Sequence, residues 1–111
     1  MSGVLVVSEN VGDWFVANWL YEAVLRDVKA MLVPGATLSA LEAGMEPNMK
    51  YLDLGSWSRE QLGELLRAAE QAYAMAERLD PGRFRDPSFY PDFLTAFREL
   101  IELLRKHPAL I

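Results

Sequence analysis

The sequence predicts a mainly helical, single-domain α+β protein. The expected architecture is a bundle of three long helices and one short helix, which a two-stranded sheet would brace if its strands pair. Three observations carry this prediction. Long segments repeat apolar residues at helical spacing, two short segments read as strands, and 111 residues, about half of them hydrophobic, suffice for one core without disulfide staples.

Taken in order, Val4-Leu5-Val6-Val7-Ser8 is short, apolar and β-branched, the signature of a buried strand. Asn10, Gly12 and Asp13 follow as a turn, with Asp13 placed to cap a first long helix from Asp13 to Val33. Ala17, Tyr21, Val24, Val28, Met31 and Leu32 form its apolar stripe, and Pro34-Gly35 stops it. Thr37 can cap a short helix through Leu38, Ala40 and Leu41 that Gly44 ends. Pro47 and Asn48 mark a loop. Tyr51-Leu52-Asp53-Leu54 alternates as a second strand, with Leu52 and Leu54 on one face.

The strongest local signal comes next. Ser58 as N-cap and Gln61 three residues on make a capping box, and Trp57 opposite Leu62 makes a hydrophobic staple. A helix from Arg59, striped by Leu62, Leu65, Leu66, Ala69, Tyr73 and Ala76, is expected to end near Leu79 before Asp80-Pro81-Gly82. A last helix runs from about Pro91 or Asp92 to Lys106, with Phe93, Ala96, Phe97, Leu100, Ile101, Leu103 and Leu104 on its broad apolar face.

Composition narrows the function classes. With no cysteine, disulfides, thiolate metal sites and cysteine nucleophiles are excluded. The N-terminus lacks a basic, then apolar, leader pattern, and no apolar run is long enough to span a bilayer, so a soluble cytoplasmic protein is expected. The net charge is −5 and uneven: residues 1–55 carry seven acidic against three basic groups, residues 56–111 nine against eight. An acidic N-terminal half repels phosphate backbones, which argues against nucleic acid, and it would steer a basic protein partner.

Candidate chemistry is sparse. His107, the one histidine, follows the last helix, where a capping or solvent role is expected. No histidine or cysteine cluster is available for zinc, and Asp80–Asp86 does not match a calcium loop, so no metal and no cofactor is expected. That segment reads as a connection, with Arg83 and Arg85 as a minor candidate for binding an anion. The acid pairs Glu42/Glu46, Glu60/Glu64 and Glu99/Glu102 sit on polar stripes or at a helix end, where solvation explains them. No serine has a base suggested near it, and no catalytic residue is assigned.

The aromatic residues are more telling. Tyr73, Met75, Phe93 and Phe97 are expected in the core. Phe84-Arg85-Asp86-Pro87-Ser88-Phe89-Tyr90-Pro91 either folds over the core as a lid or marks an interface, the lid being favoured. Phe15 and Trp19, spaced i, i+4 on the first predicted helix, fall beside Glu22, Arg26 and Lys29 on its polar stripe. They must pack under the 84–90 segment or the last helix, or be offered to a dimer or partner. Self-closure is favoured because leaving them wet forfeits several kcal/mol at ~25 cal/mol per Å².

The stretch Leu52-Asp53-Leu54-Gly55-Ser56-Trp57-Ser58-Arg59-Glu60-Gln61-Leu62, with Leu65-Leu66, resembles segments of small bacterial immunity proteins of polymorphic toxin systems. The resemblance implies a stoichiometric inhibitor of a basic toxin domain and carries no site residue over by position. The sequence therefore points to a non-catalytic, cytoplasmic binding protein that occludes a basic partner. Glu9, Asp13, Glu22, Asp27, Glu42 and Glu46 are the expected steering residues, with Phe15 and Trp19 as anchors. The alternative is a homodimeric structural or assembly subunit, its self-interface made by Phe15/Trp19 or Phe84–Tyr90. A small enzyme using carboxylates alone is a third reading.

Overall fold

A computed structural model describes residues 2–46, 50–78 and 84–110. The element order is β1 (Ser2–Ser8), β2 (Gly12–Ala17), α1 (Asn18–Ala30), α2 (Ala36–Ala43), β3 (Tyr51–Asp53), α3 (Arg59–Ala76) and α4 (Phe89–Arg105), with 3-10 turns at Leu54–Ser56 and Pro108–Leu110. Among the described residues there are three long helices and one short one, as expected, and the two expected strands do pair: β1 and β3 run parallel, Val4 opposite Tyr51 and Leu5 opposite Leu52.

The sheet has a third strand that the sequence reading placed in a helix. Residues 13–17 do not begin the first helix; they form β2, antiparallel to β1 in the order β2-β1-β3. Two causes are visible. Trp14-Phe15-Val16 is a run of aromatic and β-branched types, which suits a pleated surface. The Asn10–Gly12 turn also returns the chain alongside β1, whose backbone N–H and C=O groups need partners on that edge. Gly12, at φ 110°, takes a conformation other residues rarely adopt, and the register shifts by one residue there. The helix accordingly starts at Asn18 with no side-chain cap from Asp13.

A second correction concerns α2. Thr37 lies inside the helix and is buried; Gly35 precedes it as N-cap, and Gly44 ends it in an ordinary right-handed conformation. Pro47, Asn48, Leu79, Asp80, Pro81, Gly82 and Arg83, on which a loop, a helix end and part of a connection were predicted, lie outside the described residues.

The helices pack on one face of the sheet. Leu5, Val7, Trp14 and Leu52 from the strands meet Tyr21, Val24, Leu25 and Val28 of α1 and Phe93, Phe97, Leu100 and Leu104 of α4, all buried. Helix α3, packed on both α1 and α4, buries the small side chains Ala68, Ala69, Ala72 and Ala76 beside Leu62 and Leu65. Phe97 meets Phe93 and Tyr73 edge-on at 5.6 Å in each case. Met75, expected in the core, is instead 53% exposed, because it faces away from this seam.

The capping box is formed in full. Gln61 N–H donates to Ser58 Oγ at 3.1 Å, and Ser58 N–H donates to Gln61 Oε1 at 3.0 Å. Ser58→Ala is expected to destabilise the fold by about 1 kcal/mol, read as a lowered urea midpoint at unchanged slope. A variant as stable as the wild type would show that α3 is held by packing alone.

Candidate functional site

Strand alternation divides the sheet into two faces. Gly3, Leu5, Val7, Trp14 and Leu52 point into the core, so their neighbours point outward. Pairing aligns the outward residues in rows across the strands. Phe15, Val4 and Tyr51 make one row, and Asp13, Val6 and Asp53 make the next. Phe15 is 67% and Tyr51 47% exposed, and both aspartates are exposed. The outer face thus carries two aromatic rings flanking a valine, beside two carboxylates. Asp53 also accepts a hydrogen bond from Gly55 N–H at 2.8 Å, which fixes its side chain at the start of the 3-10 turn.

The face is anchored from beneath. Trp14, 1% exposed, donates its indole N–H to the Ala96 carbonyl of α4 at 2.9 Å and stacks on Tyr21 at 6.0 Å. The Tyr21 hydroxyl donates to the Gly44 carbonyl at 2.7 Å, and burial pushes its phenol well above the ordinary tyrosine value. Below Gly3 the Tyr21 ring comes so close that a β-carbon there would sit 2.3 Å from it. These contacts tie β1, β2, α1, α4 and the end of α2 into one frame.

The structure brings together some of the residues singled out in the sequence and separates others. Asp13 and Phe15 share the outer sheet face, with Glu9 exposed in the adjoining hairpin turn. Trp19 does not share a helical stripe with Phe15, because Phe15 belongs to β2 and Trp19 to the first turn of α1. The two rings also have different fates. Trp19 packs on Phe89 at 5.0 Å and on Phe84 at 6.3 Å, the self-closure expected, whereas Phe15 stays exposed. Glu22 and Glu42 are engaged within the chain, by Lys50 at 2.5 Å and Lys29 at 3.0 Å. Asp27 is half-buried on α1, and Glu46 is exposed just past α2. Tyr51 and Asp53 were missed as site residues. The signal was present, since putting Leu52 and Leu54 inward puts their alternates outward.

Of the 84–90 segment only the end rings fold inward as expected; Arg85 to Phe89 are exposed, and Phe89 and Tyr90 already belong to α4, which starts earlier than the predicted Pro91 or Asp92. Phe84 packs on Phe93 at 5.0 Å, and the Tyr90 hydroxyl donates to the Ala76 carbonyl at 2.5 Å. Asp86 accepts from Ser88 N–H at 2.9 Å, which holds its carboxyl below the usual range. His107 is not a solvent residue. It is 8% exposed, and its Nδ1 accepts from Ala109 N–H at 3.1 Å within the 3-10 turn that folds it inward. Among the described residues, no group of three or more His, Asp and Glu side chains converges to hold a metal ion, and no helix is long and apolar enough to cross a membrane.

No family model matches the sequence, and none of the curated proteins matches it. A solved structure does match the fold: a chain of "CdiA-CT toxin from Burkholderia pseudomallei E479 in complex with cognate CdiI immunity protein". The TM-score is 0.73 at 16% sequence identity, over 98% of this chain and 99% of that one. At this identity the likeness is one of fold. The shared architecture runs almost end to end along a chain of that toxin–immunity pair.

Proposed function

We propose that this chain is an immunity-type inhibitor, a non-catalytic protein that binds a basic toxin domain and occludes its working surface. The observation that carries the reading is the end-to-end fold likeness to a chain of a toxin–immunity complex. That complex holds two kinds of protein, and charge selects the inhibitor role for this one. Its net charge is −5, and the excess sits in the half that builds the sheet, α1 and α2. A blocking protein needs a rigid, complementary surface rather than a catalytic set. Glu9, Asp13, Asp27 and Glu46 supply the steering field, Glu22 and Glu42 being offset by Lys50 and Lys29, and Phe15, with the partly exposed Trp19, supplies apolar contact. The role places the protein in the bacterial cytoplasm, where an incoming toxin would be met.

Co-expression with a toxin domain, sought in the reading frames beside this gene, tests the proposal. Growth is expected to be restored at one-to-one stoichiometry, with an association rate that falls at least tenfold between low and 0.5 M salt, as for steered encounters. Wild-type protein that neither binds nor protects against that domain removes the inhibitor reading. The pure chain is expected to sediment as a monomer at micromolar concentration; a tight dimer favours the assembly-subunit reading instead.

A further inference from the structure

We infer that the outer face of the sheet, with its Phe15–Val4–Tyr51 row beside Asp13 and Asp53, is a docking surface that takes arginine side chains of a basic protein partner. This deepens the inhibitor reading, and it rests on that reading only for the partner's identity as a toxin.

The surface is exposed where most of the chain's aromatic area is covered. Phe15 and Tyr51 keep 67% and 47% of their surface in water, although each sits one residue from a buried neighbour, Trp14 and Leu52. Folding leaves these rings out because the pleat sends them to the face opposite the helices. Large exposed rings held on a rigid sheet lose little freedom on binding, which makes them efficient anchors.

Charge selects the occupant. Strands β1, β2 and β3 and the Glu9-Asn10-Val11 turn contain no lysine, arginine or histidine. The nearest cation in sequence, Lys50 beside Tyr51, has only 9% of its side chain exposed, and its ammonium is bound to Glu22. Asp13 and Asp53 therefore give this face a negative field with no cation of its own strands to offset it. A second copy of the chain would set these carboxylates against each other across a two-fold axis, so self-pairing is disfavoured.

Geometry selects the side chain. Successive rows lie two residues apart along a strand, ~7 Å, and neighbouring strands ~4.8 Å apart. A guanidinium lying on the Phe15 or Tyr51 ring is then within reach of the carboxylate in the next row on the same strand. Arginine satisfies both demands, since its plane stacks on a ring while its edge pairs with a carboxylate. Lysine, a compact ammonium, meets only the second as well.

Titration of the isotope-labelled full chain with hexa-arginine, hexa-lysine and hexa-glutamate peptides tests this by amide shift mapping. Hexa-arginine is expected to move the Val4, Asp13, Phe15, Tyr51 and Asp53 amides, hexa-lysine to move them more weakly, and hexa-glutamate to leave them still. Phe15→Ser/Tyr51→Ser should bind hexa-arginine roughly tenfold more weakly, the loss of two cation–ring contacts. Both side chains are exposed, so the variant's native dispersion checks its fold. Shifts centred on Glu42/Glu46 or Glu99/Glu102 with the sheet unmoved overturn the assignment, as does the absence of any shift. Equal affinity for the lysine peptide overturns the arginine preference, and concentration-dependent shifts of these amides without peptide point to a second copy. None of these outcomes depends on toxin neutralisation, so failure of this inference and failure of the inhibitor reading can be told apart.

Discussion

Trp14→Ala is expected to destabilise this protein by about 3–5 kcal/mol, the usual cost of removing a buried large aromatic side chain. The indole is 1% exposed, stacks on Tyr21 and donates to a carbonyl in the middle of α4. Its removal opens a cavity between sheet and helices and takes the bound donor from the Ala96 carbonyl. Against a total stability of roughly 5–15 kcal/mol, that is about a fifth of the whole or more. Trp14→Phe separates the two contributions. It keeps most of the ring but loses the N–H, so a cost of about 1–2 kcal/mol is expected. Urea unfolding followed by circular dichroism measures both. A Trp14→Ala cost below about 1 kcal/mol would mean that residues 13–17 do not lie in a strand over α4, and the sheet described above would be wrong.

The second large effect is expected at Gly3. A β-carbon built there meets the Tyr21 side chain at 2.3, 2.4 and 2.5 Å, and the atoms it meets are the base and stem of the ring. A flexible side-chain end could swing aside, but these atoms are held by the hydroxyl bond to Gly44 and the stack on Trp14. Gly3→Ala must therefore separate β1 from α1 or break one of those contacts, at a cost of about 1–3 kcal/mol or more. Gly35→Ala is the control, because nothing lies within 4 Å of its would-be β-carbon and its backbone is extended. A thermal shift at Gly3 no larger than at Gly35 would refute the close approach of Tyr21.

Together these variants show why part of the fold could be read from the sequence. The start of α3 was legible because its determinants lie within four residues: Ser58 and Gln61 bond each other. The face of α4 was legible because its apolar residues repeat every three or four positions. Both are local properties of the chain, and packing then used the surfaces that periodicity had marked. Segment 13–17 was different. Its last residue, Ala17, fits a helical stripe when read together with Tyr21 and Val24, whereas Trp14-Phe15-Val16 fits a strand when read alone. The competing factor was pairing with β1, a partner outside the window in which periodicity is judged.

The same limit applied to the candidate site. Phe15 stood out from the sequence as an aromatic residue out of place, and it is indeed exposed, but on a strand. Trp19 stood out for the same reason and is covered in part by Phe84 and Phe89, some seventy positions away. The acidic character of the N-terminal half was plain from composition. Which acids share a surface was not, because Glu22 and Glu42 are engaged by Lys50 and Lys29 whereas Asp13 and Asp53 flank Val6 in one row of the sheet.

The sequence by itself determined the helices among the described residues, the capped start of α3, the apolar face of α4, the strands containing residues 4–8 and 51–53 and the negative charge. Each of these follows from side chains within a few residues of one another or from a simple sum. Only the tertiary structure decided that residues 12–17 form a third strand, that Trp14 rather than Phe15 enters the core, and that residues 4, 15 and 51 make one row. Backbone hydrogen bonding between distant strands sets that register, and the pleat then fixes which side chains face water.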